Sequence, residues 1–120
     1  MKTYKELHVW EKSVELVTSI YTATRRFPED EKFGLISQMR RCAVSIPSNI
    51  AEGHGRKSNV EFARYLRISY GSSSELETQL IISKKLNFLS DKDFDKINSE
   101  LTEVRKMLNK LISTVLKASD

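Results

Sequence analysis

Between positions 40 and 67 the chain places Arg40, Arg41, Arg56, Lys57, Arg64 and Arg67 against only Glu52 and Glu61. That stretch carries +4, the formal net charge of all 120 residues, so the rest of the chain is neutral. A basic excess gathered in one segment suits a localised anionic partner, because cations that neutralise phosphates gain affinity by releasing counterions. These six residues are the candidate nucleic-acid-binding set. Tyr65 and Tyr70 interleave with them and could stack on bases, although aromatics at helical spacing are more often core or subunit contacts.

Other chemistry is weaker. The string Gly53-His54-Gly55-Arg56-Lys57-Ser58 ends like a phosphate loop, but that motif needs glycines where Ala51 and Arg56 stand, and it follows a strand. What survives is a loop that delivers Arg56 and Lys57 to a helix start, where free N–H groups and the dipole favour anions; its plain alternative is a solvated glycine-capped connection. Gln38, Arg41, Ser45, Ser48 and Glu52 recur at 3, 4, 3, 4 and form a polar stripe. Glu75 and Gln79 lie one turn apart on a later helix. Arg41 could pair with Glu75 across the fold, which is a structural reading, whereas acid-base or metal chemistry lacks a fixed carboxylate separation and a nucleophile. Glu52 with His54 lacks a third, orienting group. Cys42 and Trp10 fall on apolar faces and read as core. One cysteine and two distant histidines, His8 and His54, cannot build a four-ligand zinc site or a disulfide framework. No catalytic residue, metal or cofactor is expected.

The elements that must position these residues are helical. Trp10, Val14, Val17 and Tyr21, widened by Leu16, Ile20 and Ala23, predict a first helix over 8–26, stopped by Phe27-Pro28. Glu29-Asp30-Glu31 suits the start of a second helix, which carries Phe33, Ile36, Met39, Ala43, Ile46 and Ile50 to a stop at Gly53. Pro47 predicts a kink near 43–47: either a packing bend or a polar site made of freed backbone with Ser45, Ser48 and Asn49. Ser58 and Glu61 form a capping box for a third helix to about Leu86, with Phe62, Leu66, Ser69, Ser73, Leu76 and Leu80 on one face. Asp91 is the expected cap of a fourth, whose Ile97, Leu101, Val104, Leu108, Leu111 and Val115 repeat at 4, 3, 4, 3, 4. The expected fold is all-α, one antiparallel up-down-up-down four-helix bundle over 1–120.

Composition agrees. Hydrophobic residues at 39% suffice for a core, while four glycines and two prolines leave too few turns for an all-β sandwich. No apolar run approaches the ~18 residues of a membrane span, and the charged start resembles no signal peptide. The expectation is a cytoplasmic protein without a membrane partner.

At Val9-Trp10, Phe27-Pro28, Gly34-Leu35, Gln38-Met39-Arg40-Arg41, the string from Ser45 through Pro47 and Asn49 to Gly53, and Gly71-Ser72 with Glu75-Leu76-Glu77, the chain resembles the bacterial four-helix-bundle family found in intervening sequences of 23S ribosomal RNA genes. The resemblance runs from about Tyr4 to Leu89, with the fourth helix matching only by pattern. It implies a homopentameric barrel, with a related branch acting as accessory factors to reverse transcriptases in diversity-generating retroelements. Arg40, Arg41, Asn49, Glu52, Gly53 and Arg56 match the family motif, and no catalytic role comes with them. The family usually has alanine and leucine where this chain has Ser69 and Ser73, which implies a more polar interface on the third helix.

The leading expectation is therefore a non-enzymatic oligomeric bundle that binds structured RNA or a ribonucleoprotein through the 40–67 region. The alternative is a structural or protein-interaction scaffold, for which a reverse-transcriptase-type partner is one candidate. A metal-free hydrolase built on Glu52 and His54 ranks last.

Overall fold

The computed structural model describes residues 3–118. It contains α1 (His8–Thr24), α2 (Leu35–Gly55), α3 (Asn59–Lys85) and α4 (Asp91–Lys117), with single 3-10 turns at Tyr4–Glu6 and Glu29–Glu31. No strand occurs among the described residues. A 27-residue helix is about 40 Å long at 1.5 Å per residue, so α3 and α4 set the long axis of a 47 × 24 × 20 Å molecule.

Side-chain pairs fix the directions. Met39–Ser83 and Ser45–Ser72 count oppositely along α2 and α3, and Lys12–Glu103, Ser19–Lys96 and Arg26–Asp93 do the same along α1 and α4. Each helix packs on its two neighbours in the ring α1, α2, α3, α4, and the backbones of the diagonal pairs stay apart. The molecule is the expected antiparallel four-helix bundle.

The α4 repeat is realised as read: Ile97, Leu101, Val104, Leu108 and Val115 are buried and Leu111 packs on them from the edge. They meet Leu66, Leu76 and Leu80 of α3, Met39, Ala43, Ile46 and Ile50 of α2, and Leu16 and Ile20 of α1. On α1 the buried line runs through Val9, Ser13, Leu16, Ile20 and Ala23, so Trp10, Val14 and Val17 are half-buried and Tyr21 is exposed. The seam lies one position from the expected series, because that line uses small residues, Ser13 and Ala23, that a hydrophobicity pattern underweights. Ser69 and Ser73 are fully buried within this one chain: Ser69 donates to the Ile46 carbonyl at 2.9 Å and Ser73 to that of Tyr70 at 2.6 Å. Their polarity therefore falls on intrachain packing.

The boundaries differ where glycine and cap chemistry compete. The second helix begins at Leu35 rather than at the acidic run, which forms only one 3-10 turn, since Gly34 is a poor helix former with a non-helical ψ of −114°. Glu31 Oε1 then accepts the Leu35 N–H at 3.1 Å. Phe33, expected in the core, lies on this connection and is 89% exposed. At the fourth helix Ser90, not Asp91, is the cap: its hydroxyl accepts the Asp93 N–H at 3.1 Å.

Candidate nucleic-acid interface

The α2–α3 hairpin positions the whole basic set. Its closest approach is at Gly53, where the sequence suggested a helix stop. The helix instead continues to Gly55, and Gly53 has a negative φ. A Cβ built there would stand 2.6 Å from Tyr65 Cβ and 3.3 Å from the Phe62 carbonyl, so glycine is required by the helix crossing rather than by a left-handed turn. The turn residue is Lys57, at φ 57°. Ser58 caps α3 by accepting the Glu61 N–H at 3.3 Å. Only that half of the expected capping box is seen, because both Glu61 carboxylate oxygens accept from Arg64, each at 3.1 Å. That bond holds the Glu61 carboxyl below its usual range and the Arg64 guanidinium above its own.

Pro47 is buried in an unbroken α2, and the polar groups around it serve the hairpin. Asn49 Nδ2 donates to the Ser45 carbonyl at 2.8 Å and to its hydroxyl at 3.0 Å, and Ser45 shares a 2.8 Å bond with Ser72 on α3. Those side chains are spent on packing.

The six predicted basic residues fall into three places. Arg40 turns toward α1: its guanidinium donates to Thr24 Oγ1 at 3.0 Å and lies 4.5 Å over the Tyr21 ring. Arg41 lines an open polar groove of about 300 Å³ with Gln38, Cys42, Ser45, Ser72 and Glu75. Among the described residues it makes no ion pair with Glu75, so the suggested cross-hairpin pair does not form. Burial, assisted by Glu75, pushes the Cys42 thiol up to about 11.

The remaining four lie along the end of α2, the turn after it and the first turns of α3. Arg56 bonds the Tyr65 hydroxyl at 2.7 Å and sits 5.1 Å from that ring, while Arg64 sits 4.6 Å from it. Arg56 also pairs with Glu52 at 3.0 Å. Lys57 and Arg67 are exposed and, among the described residues, meet no carboxylate. Both candidate stacking tyrosines are engaged by cations, Tyr70 by Arg105 at 4.7 Å. The sequence reading missed Tyr65 as an organiser of guanidiniums; the 56, 64, 65 grouping was visible only once α2 and α3 were known to be antiparallel.

The hydrolase pair does not assemble, since Glu52 is engaged by Arg56 and His54 packs edge-on against Phe62, ring centroids 5.6 Å apart. Among the described residues no group of three His, Cys, Asp or Glu side chains could hold a metal ion, and no helix is long and apolar enough to cross a membrane.

A search of curated protein sequences finds no match. Among solved structures, the chain is similar to a protein of unknown function from the S23 ribosomal protein family of Bacteroides thetaiotaomicron, with a TM-score of 0.80 at 26% identity, covering 88% of this chain and 95% of that one. The model of the 23S rRNA-intervening sequence protein family matches residues 5–110, taking in the α2–α3 hairpin, its basic end and most of α4. The chain belongs to the 23S rRNA-intervening sequence protein family.

Proposed function

We propose that this protein is a non-enzymatic, cytoplasmic, oligomeric bundle that binds structured RNA, or RNA within a ribonucleoprotein, through the basic end of the α2–α3 hairpin. The observation that carries this reading is the pairing pattern: Lys57 and Arg67 stand exposed without acidic partners among the described residues, beside two arginines held against Tyr65. Arg40, committed to Thr24 and Tyr21, supports the fold rather than the interface. Arg41 stands apart from that end, in the second turn of α2, in a groove it shares with Glu75. With Tyr65 and Tyr70 engaged by arginines, recognition runs through phosphates rather than through base stacking on these rings.

Assembly is supported by a separate feature. Val60, Ile68, Ile82 and Leu86 are 65%, 42%, 41% and 51% exposed, and at 100° per residue they fall on one side of α3, which they share with the exposed Arg64, Gly71, Glu75 and Thr78. Exposed Val, Ile and Leu side chains recurring along one side of a helix suit a surface that another chain covers. We read it as the homo-oligomer contact, with a pentamer as the expected size. It also keeps alive the scaffold reading, in which a protein such as a reverse transcriptase is the partner.

Size-exclusion chromatography with light scattering tests both parts on protein before and after nuclease and a high-salt wash. An oligomer whose excess 260 nm absorbance disappears with the wash is the expected result. An oligomer never loaded with nucleic acid favours the scaffold, and a clean monomer removes the assembly.

A further inference from the structure

The end of the bundle beside the basic cluster contains a cleft of about 770 Å³, within the range of about 300–1,000 Å³ that ligand sites occupy. Its walls come from four places: Tyr4 and Leu7 before α1, His54 at the end of α2, Phe62 on α3, and Leu111 with Val115 on α4. Asn59, whose amide donates to the Ala118 carbonyl, ties the ends of α3 and α4 together behind it. Lys57 lines the cleft as well, so one cation of the basic set stands at its mouth, while the Arg56 guanidinium next to it in sequence is held by Glu52 and Tyr65. Lys57 reaches that mouth from a left-handed backbone conformation, which non-glycine residues seldom adopt.

We propose that this cleft receives one unstacked nucleobase of the RNA whose backbone lies on Arg56, Lys57, Arg64 and Arg67. The proposal rests on the RNA-binding reading of the adjoining surface and adds the form of RNA that is preferred. Three observations select a base over other occupants. The walls are aromatic as well as aliphatic, with the Phe62 and His54 rings set at 87°, so a base could stack on one and meet the edge of the other. The hydroxyl of Ser58 stands among the apolar walls, and while its oxygen accepts the Glu61 N–H its proton can meet the polar edge of a base. The mouth is cationic, which matches a base still attached to its phosphates. A bulged or loop nucleotide has already lost its stacking partners, so a bulge lowers the cost of filling the cleft.

The test compares two RNA hairpins that differ by a single unpaired 2-aminopurine, bound to the full-length protein and followed by anisotropy and by 2-aminopurine fluorescence. The bulged hairpin should bind about tenfold tighter, the worth of one stacked base, with its fluorescence quenched. Thr114 is an exposed helical residue, so Thr114→Phe should fill the cleft without touching the core. It should abolish the bulge preference and leave affinity for the paired hairpin unchanged; Phe62→Leu should reduce the preference and Phe62→Tyr should restore it. Equal binding of the two hairpins, or a preference that survives Thr114→Phe, overturns the cleft proposal and leaves the RNA reading standing. Failure of both hairpins to bind at low salt overturns the cleft proposal and the RNA reading together.

Discussion

Glycine at position 53 shows how one side chain, or its absence, decides the geometry of the hairpin. A methyl there would meet the Tyr65 Cβ at 2.6 Å, and both partners are held on a packed helix that cannot swing away. Gly53→Ala should therefore destabilise the fold by roughly 1–3 kcal/mol, as overpacking does, read as a lower midpoint in chemical denaturation. Gly55→Ala is the control, since nothing stands within 4 Å of a Cβ at that position; an equal loss at both sites would remove the close-approach explanation. Cys42 makes a second prediction at this scale. Its folded pKa of about 11 lies above the ordinary value of 9.0, so the folded state holds the proton more tightly. The stability linked to that proton is fully present below pH 9 and is lost as pH rises toward 11. The thiol should accordingly react slowly with iodoacetamide at pH 8 in native protein and at the normal cysteine rate once unfolded. Rapid native alkylation would show that the groove leaves the sulfur open.

At the scale of elements, the helices carry the fold, and the α2–α3 turn with the first turns of α3 carries the proposed interface. Lys57 takes a strained conformation in the α2–α3 turn, whereas Asn87, at φ 62° in the α3–α4 turn, is a residue that tolerates it. Lys57→Gly should raise thermal stability, by up to about 1 kcal/mol after the entropy glycine gains in the unfolded chain, while weakening RNA binding. Parallel changes in stability and affinity would argue against strain held for function. Ser90→Ala should cost about 1 kcal/mol through the lost cap, more than Asp91→Ala. The four helices were legible in the sequence because Ile97, Leu101, Val104 and Leu108 alternate at spacings only a core-facing helix produces, and Phe27-Pro28 stops α1 wherever it packs. Glycine was not legible in the same way. Gly34 interrupts a helix, Gly53 permits a crossing and neither adopts a positive φ, yet local sequence presents both uses alike. The candidate site was legible as a charge excess only. That excess could not show that Arg40 turns from α2 toward α1, that Arg56 and Arg64 share Tyr65, or that residues as distant as Tyr4 and Val115 wall one cleft, because each depends on which helices are neighbours.

For the whole molecule, the basic cluster and the cleft sit at one end of the bundle, and Val60, Ile68, Ile82 and Leu86 recur as a stripe along the side of α3 that Arg64 shares. Assembly along that stripe would repeat the basic end around an axis and multiply weak phosphate contacts into avidity. The measurement that tests the central claim most directly is the affinity of a structured RNA across a salt series, for the wild-type protein and for Lys57→Ala with Arg67→Ala. If the hairpin end binds phosphates, log K falls linearly with log salt, and the double variant weakens binding to every sequence and flattens the slope by about 2 for each copy of the interface engaged. An affinity indifferent to salt, or a slope unchanged by the two substitutions, would contradict it.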